Sequence, residues 1–223
     1  MSLLELQHVY FEDAGKTILQ DVSIQIEKGE FLSVIGPSGS GKSTFLKLCS
    51  SLISPSGGRI FFRGKDFLIY QPADLRKRLA YCFQMPCLFG STVRENLVFP
   101  YTIRDQKPDT ARMEELLAMF HMSSDYLDRS TENLSGGEKQ RLALIRSLLV
   151  LPEVLLLDEV TSALDGENAR ITEDVITSLH KDGMTVLWVT HSPEQIGKYA
   201  DRTVTIEAGQ IKSIKEAANE YDE

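Results

Sequence analysis

Phe31-Leu32-Ser33-Val34-Ile35-Gly36-Pro37-Ser38-Gly39-Ser40-Gly41-Lys42-Ser43-Thr44 is the stretch on which the fold turns. Its first five residues read as a buried strand that runs straight into a glycine-rich loop. From Gly36 the chain fits GxxxxGKS/T between a predicted strand and a predicted helix, the pattern of a phosphate-binding loop. The glycines let backbone N–H groups turn inward around phosphate oxygens, the helix start adds partial positive charge, and Lys42 supplies a full one. Ser43 is placed to ligate Mg2+. This motif alone does not distinguish kinase, GTPase and motor.

Around this stretch, 223 residues suffice for one α/β domain with a real core, while two full domains would be cramped. The formal net charge of −8 opposes the basic surface that nucleic-acid binders need, so DNA or RNA is a poor partner. The longest apolar stretch, Leu148 to Leu157, is broken by Pro152 and Glu153, and the start of the chain has neither a basic leader nor a long apolar region. The expectation is a chain that neither spans a membrane nor is secreted. Cys49, Cys82 and Cys87 show no zinc or redox spacing and read as reduced thiols. The acidic tail AANEYDE lacks the apolar periodicity to dock and is expected to fray.

Upstream, Leu4, Leu6 and Val9 alternate with polar residues, as do Val22, Ile24 and Ile26, which predicts an antiparallel β layer with one solvated face. Ser54-Pro55-Ser56-Gly57-Gly58 reads as a turn leading into a strand from Arg59 to Phe62. A short helix and then a strand are expected between about Asp74 and Gln84. Between Pro108 and Leu127 the spacing becomes helical, with Met113, Leu116, Leu117 and Phe120 on one side. A helical subdomain is therefore placed at about residues 85–150 of a single domain. Val154 to Leu157 and Thr185 to Val189 are short apolar runs flanking a helical stretch from Glu167 to His180, as in parallel βαβ units. The core sheet should be mainly parallel, and Ser192-Pro193-Glu194-Gln195 should start a further helix.

The run Val154 to Leu157 ends in Asp158-Glu159, two adjacent carboxylates at the C-terminal end of a strand. Asp158 suits the magnesium shell, and Glu159 suits orienting and deprotonating an attacking water. In isolation such a pair often merely ends a buried strand; beside a phosphate loop it completes a nucleotide site. Just before it stands Leu134-Ser135-Gly136-Gly137-Glu138-Lys139-Gln140-Arg141, in which Ser135 and two glycines open a helix and point N–H groups at an anion.

With that LSGG signature the chain resembles the ABC ATPase family over essentially its whole length. The resemblance implies a P-loop ABC ATPase fold that binds ATP and Mg2+ and works as a homodimer, the Ser135, Gly136 and Gly137 helix meeting the γ-phosphate held by the opposite subunit. It further implies that Gln84 reaches Mg2+ and the attacking water, that Asp165 in Ser162-Ala163-Leu164-Asp165 couples two sites across the dimer, and that His191 holds Glu159 and the water in place. The family stacks adenine on an aromatic residue near the N-terminus; Tyr10 and Phe11 compete for that place, with Phe11 favoured. Strand alternation puts one of the two in the core and the other on the surface.

In transporters of this family, the region from Gln84 through Met85-Pro86 to Leu97 receives a coupling helix of the permease. No x-loop of the TEVGERG kind precedes the signature, Arg129 to Asn133 standing there instead, so the resemblance implies a separately encoded integral membrane permease. The subunit would then be cytoplasmic and peripheral on the inner face of the cell membrane. In its wording the chain looks like the bacterial iron-export or metal-efflux ATP-binding subunits. The alternative within the same family is a soluble ATPase that serves as an assembly scaffold in iron–sulfur cluster biogenesis. A phosphotransferring kinase is disfavoured because the signature and His191 would then have no work.

Overall fold

The computed structural model describes residues 2–216; the acidic tail lies outside them. The order of elements is β1 (Ser2–Asp13), β2 (Lys16–Glu27), β3 (Phe31–Ile35), α1 (Lys42–Cys49), β4 (Gly57–Phe62), β5 (Lys65–Asp66), α2 (Pro72–Arg78) and β6 (Leu79–Cys82). It continues with α3 (Val93–Thr102), α4 (Thr110–Met119), α5 (Gly136–Leu148), β7 (Val154–Asp158), α6 (Gly166–Lys181), β8 (Thr185–Val189), α7 (Pro193–Tyr199), β9 (Arg202–Glu207) and β10 (Gln210–Glu216). These fall into two compact units. One gathers the described residues up to Tyr81, Glu153–Glu159 and those from His180 on; the other holds Cys82–Pro152 and Val160–Leu179.

The first unit is built on two sheets. A four-stranded sheet runs β2-β1-β4-β5, and β1 pairs antiparallel with both of its neighbours. Leu4, Leu6, Val9, Val22, Ile24 and Ile26 are all buried, so the alternation read in the sequence is the core face of this layer. A six-stranded sheet runs β10-β9-β3-β8-β7-β6. Here β3 pairs parallel with β8 and β9, and β7 pairs parallel with β8, while β10 closes the edge antiparallel to β9. Every residue of β7 and β8 is buried, which is why both read as unbroken apolar runs rather than alternating ones.

The turn expected at Gly57-Gly58 is instead the start of β4. Gly57 pairs with Tyr10, and a Cβ on Gly58 would stand 2.1 Å from the carbonyl oxygen of His8. These two glycines serve a close approach of strands rather than a reversal of the chain. Lys215 and Glu216 likewise belong to β10, paired with Thr203 and Arg202.

The second unit is helical. Met113, Leu116, Leu117 and Phe120 are buried, but the helix they announce ends at Met119, and His121 follows with a φ of 54°. A separate 3-10 turn at Ser124–Asp128 takes up the rest of the predicted run. Two of its helices open with reciprocal capping boxes, Thr92 with Glu95 at α3 and Ser135 with Glu138 at α5. Each box satisfies two backbone donors at a helix start that would otherwise need water. Among the described residues, no helix is long and apolar enough to cross a membrane.

Candidate functional site

The phosphate loop of the first unit leaves β3 with Gly36 and enters α1 at Lys42. Gly36, Gly39 and Gly41 have φ of 144°, 74° and 105°, backbone conformations that L side chains rarely adopt. At Gly36 the constraint is also steric: a Cβ would lie 1.9 Å from the carbonyl oxygen of Ile206 on β9. Lys42 is buried, and its ammonium donates to the carbonyl oxygens of Gly36 and Pro37, both at 2.9 Å. The loop is thus folded over its own lysine. Ser40 is buried too, and its hydroxyl oxygen has no hydrogen-bond partner.

An open pocket of about 370 Å3 lies against this loop, lined by Lys16, Ile18, Ser38, Gly39, Gly41, Lys42, Ser43, Thr44 and Glu159. Lys16 and Ile18 belong to β2 and carry no motif, so the sequence gives no sign of them. Gly41 is packed so closely that a Cβ would stand 2.7 Å from Leu19 Cδ2, on the same strand. Neither Tyr10 nor Phe11 is among the residues lining the pocket. Phe11 is half-buried and packs against the core of the unit, while Tyr10 is exposed and packs its ring over Gly57.

At the end of β7, Asp158 is buried and accepts a hydrogen bond from Ser43 Oγ to Oδ1 at 2.9 Å. Its other oxygen, Oδ2, accepts from the hydroxyl of Tyr81 at 2.6 Å. Glu159 follows with a φ of 49°, a left-handed conformation unfavourable for a residue with a Cβ, and its N–H donates to the carbonyl of Val189. That bend turns its side chain to the pocket. His191, just past β8, brings Nε2 to 3.0 Å from Glu159 Oε1. Next to it, buried Thr190 donates its hydroxyl to the side-chain oxygen of Gln195 and accepts from the N–H of Ser192, fixing the chain as it leaves the strand.

These residues fit a magnesium nucleotide. The glycine-rich loop beside the pocket carries an ammonium that can serve phosphates, and Ser43 with Asp158 offers the hard oxygen donors that Mg2+ prefers. Lys42, Ser43, Asp158, Glu159 and His191 thus lie in one unit: Lys42, Ser43 and Glu159 line the pocket, Asp158 bonds to Ser43, and His191 pairs with Glu159.

In the second unit, Gln84 is exposed in the loop after β6. Ser135 and Gly136 are exposed at the start of α5; Ser135 Oγ accepts from the N–H of Glu138, and Glu138 Oε2 from the N–H of Ser135 at 2.7 Å. The other oxygen of Glu138 accepts from the Tyr126 hydroxyl at 2.5 Å. That bond, the largest influence, and the capping contacts hold the Glu138 carboxyl below its ordinary pKa. Gly137 lies beneath Asn168 and Leu164, where a Cβ would find contacts at 3.5 and 3.6 Å. Asp165 accepts from both the backbone N–H and the side-chain amide of Asn168, which keeps its carboxyl below the usual range. Gln140 and Arg141 are buried and anchor α5 by donating to the carbonyls of Phe83 and Phe120. Around Gln84 the surface carries exposed Phe83, Met85 and Phe89. The cysteines are free, Cys49 and Cys82 buried and Cys87 exposed, and burial raises the Cys82 thiol to about 11.

A strand, a glycine loop closed over a buried lysine, a helix, and an aspartate at the end of a neighbouring parallel strand together define a P-loop nucleotide-binding protein. The family described as ABC transporter matches residues 19–162. A probable iron export ATP-binding protein, FetA of Escherichia coli strain K12, is 42% identical over 216 residues, covering 96% of either chain. ABC transporter I family member 17 of Arabidopsis thaliana is 40% identical over 203 residues, 91% of this chain and 77% of that one. The ATP-binding cassette MJ0796, solved as a dimer in a post-hydrolysis state bound to ADP and Pi, superposes with a TM-score of 0.87 at 26% identity, covering 97% of this chain and 99% of that one. The chain belongs to the ABC transporter family, as an ATP-binding subunit with the ABC ATPase fold.

Proposed function

We propose that the chain acts as a single ATP-binding domain, 1–223, two copies of which close on two ATP molecules and drive a separately encoded integral membrane permease. In each site, Lys42 and the amides of the Gly36–Thr44 loop hold the phosphates of one copy's nucleotide. The Ser135 helix of the second copy, with Gly136 and Gly137, covers the terminal phosphate. Phe11 is our choice for stacking on adenine, and Asp165 for coupling the two sites. Ser43, Asp158 and Gln84 are the residues that would hold Mg2+, which neutralises phosphate charge and orients the leaving oxygens when bound. Glu159 takes the proton of the attacking water, and His191 keeps its carboxylate aimed.

The observation that carries this reading is the 3.0 Å pairing of His191 with Glu159, a residue that lines the phosphate-loop pocket. A backbone strained at Glu159 suits a side chain that must stand at one place rather than merely end a strand. The likeness to FetA supports export of iron or another metal ion as the transport the ATPase powers, with the subunit peripheral on the cytoplasmic face of the membrane. The exposed Phe83, Met85 and Phe89 beside Gln84 are the apolar surface offered to the permease.

The test is to express Glu159→Gln together with the neighbouring genes, add ATP and Mg2+, and recover the chain from a detergent extract. An integral membrane protein that co-purifies in an ATP-sensitive way supports the transporter reading and supplies the permease for metal-efflux assays. Recovery with soluble proteins only overturns it in favour of an assembly scaffold.

A further inference from the structure

Asp158 is buried, so its carboxylate must find its hydrogen bonds inside the protein. One donor is Ser43, at the start of α1, on Oδ1. A carboxylate held by one oxygen alone still swings about its Cβ–Cγ bond, because that torsion is broad and roughly two-fold. The second donor removes that freedom. It is Tyr81 on β6, the strand beside β7 in the sheet, whose half-buried ring packs against the core of the unit and whose hydroxyl reaches Oδ2 at 2.6 Å. The phenol hydroxyl donates and the carboxylate oxygen accepts, and the length is short for an O–H···O bond. With Oδ2 engaged by Tyr81, Oδ1 is kept toward Ser43 and the phosphate loop.

We propose that Tyr81 is a positioning residue for the magnesium site, its hydroxyl locking the Asp158 carboxylate in the orientation that pairs Oδ1 with Ser43. This rests on the reading of the Lys42 loop as a magnesium–nucleotide site. In this scheme Tyr81 touches neither nucleotide nor metal, and it acts on the metal through Asp158. Its removal therefore weakens metal binding without weakening the grip on the nucleotide itself.

The experiment uses the full chain as wild type, Tyr81→Phe, Asp158→Asn and the double variant. Mn2+ is titrated by electron paramagnetic resonance against each protein saturated with ATP, and ATP affinity is measured separately in EDTA. Outer-shell partners of metal ligands typically govern affinity by an order of magnitude, so Tyr81→Phe is expected to bind Mn2+ about tenfold more weakly. Its ATP affinity in EDTA should match wild type, and the substitution should have no further effect once Asp158 is Asn. Unchanged Mn2+ affinity in Tyr81→Phe overturns the proposal, as does an equal loss with and without the Asp158 carboxylate, or a parallel loss of ATP binding in EDTA. A wild-type chain that binds neither ATP nor Mn2+ overturns the underlying site and this proposal with it.

Discussion

Two glycine-opened helix starts in this chain, both proposed to meet phosphate, are built differently. At α1 the lysine is buried, its ammonium bonds to two carbonyls of its own loop, the glycines have positive φ, and an open pocket of about 370 Å3 lies alongside. At α5, Ser135 and Gly136 are exposed, and neither Gly136 nor Gly137 has positive φ. Local contacts hold this end in shape: a reciprocal capping box, a tyrosine on Glu138, and Asn168 beneath Gly137. The first start comes with the walls of a site; the second, in the function proposed above, becomes part of a site when a second copy covers it. The contrast is a physical reason to expect a chain that binds ATP as a monomer and turns it over as a dimer.

The largest effect should come from Glu159→Gln, which keeps the geometry of the first site and removes its base: turnover should fall about a thousandfold in a phosphate-release assay. ATP affinity, by equilibrium dialysis, should stay at the wild-type value. Equal turnover would leave the strained Glu159 without the role proposed for it.

Next in size is the pair Lys42→Ala and Ser135→Arg. Removing the ammonium should weaken ATP binding to the isolated chain about a hundredfold, since several hydrogen bonds to charged oxygens go with it. Blocking the exposed α5 start should leave that binding untouched and reduce turnover about tenfold or more, through the loss of an electrostatic contact to the reacting phosphate. If Ser135→Arg instead loses ATP affinity in the monomer, the distinction between a walled site and a surface awaiting a cover breaks.

The smallest effects sharpen the comparison at the glycines. Gly36→Ala places a methyl into the carbonyl of Ile206 at a φ of 144° and should cost about 3 kcal/mol in urea unfolding. Gly136→Ala meets no atom within 4 Å and should change stability by about 0.5 kcal/mol or less, in the favourable direction. Matching losses at the two positions would mean that both loops are under the same constraint.

What the sequence makes legible follows the same divide. The phosphate loop is readable because glycines at fixed spacing between an apolar strand and a helix leave few alternative structures. The Asp158-Glu159 pair is readable because β7 is buried on both faces and so stands out as an apolar run. Ser135 with Glu138 three residues on is a local cap that needs no tertiary information. Tyr81 is not readable: it lies 77 positions from Asp158, and the two meet only through the order of strands in the sheet. Lys16 and Ile18 are missed for the same reason, since they line the pocket by the path of β2 and carry no signature of their own. The left-handed backbone at Glu159 is also hidden, because nothing in its residue type calls for it. Tyr10 and Phe11 stay ambiguous in the sequence because alternation separates them without saying which face is which; β1 leaves Tyr10 exposed and Phe11 half-buried.

The central claim is that one copy's Lys42 loop and another copy's Ser135 helix make a single ATP site. The most direct measurement is the mass in solution of the Glu159→Gln chain, by sedimentation equilibrium, at saturating ATP and again at saturating ADP. A dimer with ATP that returns to monomer with ADP, and that is lost when Ser135→Arg is added, is the predicted result. A chain that stays monomeric with ATP bound, or a dimer indifferent to the nucleotide and to Ser135, would contradict the account.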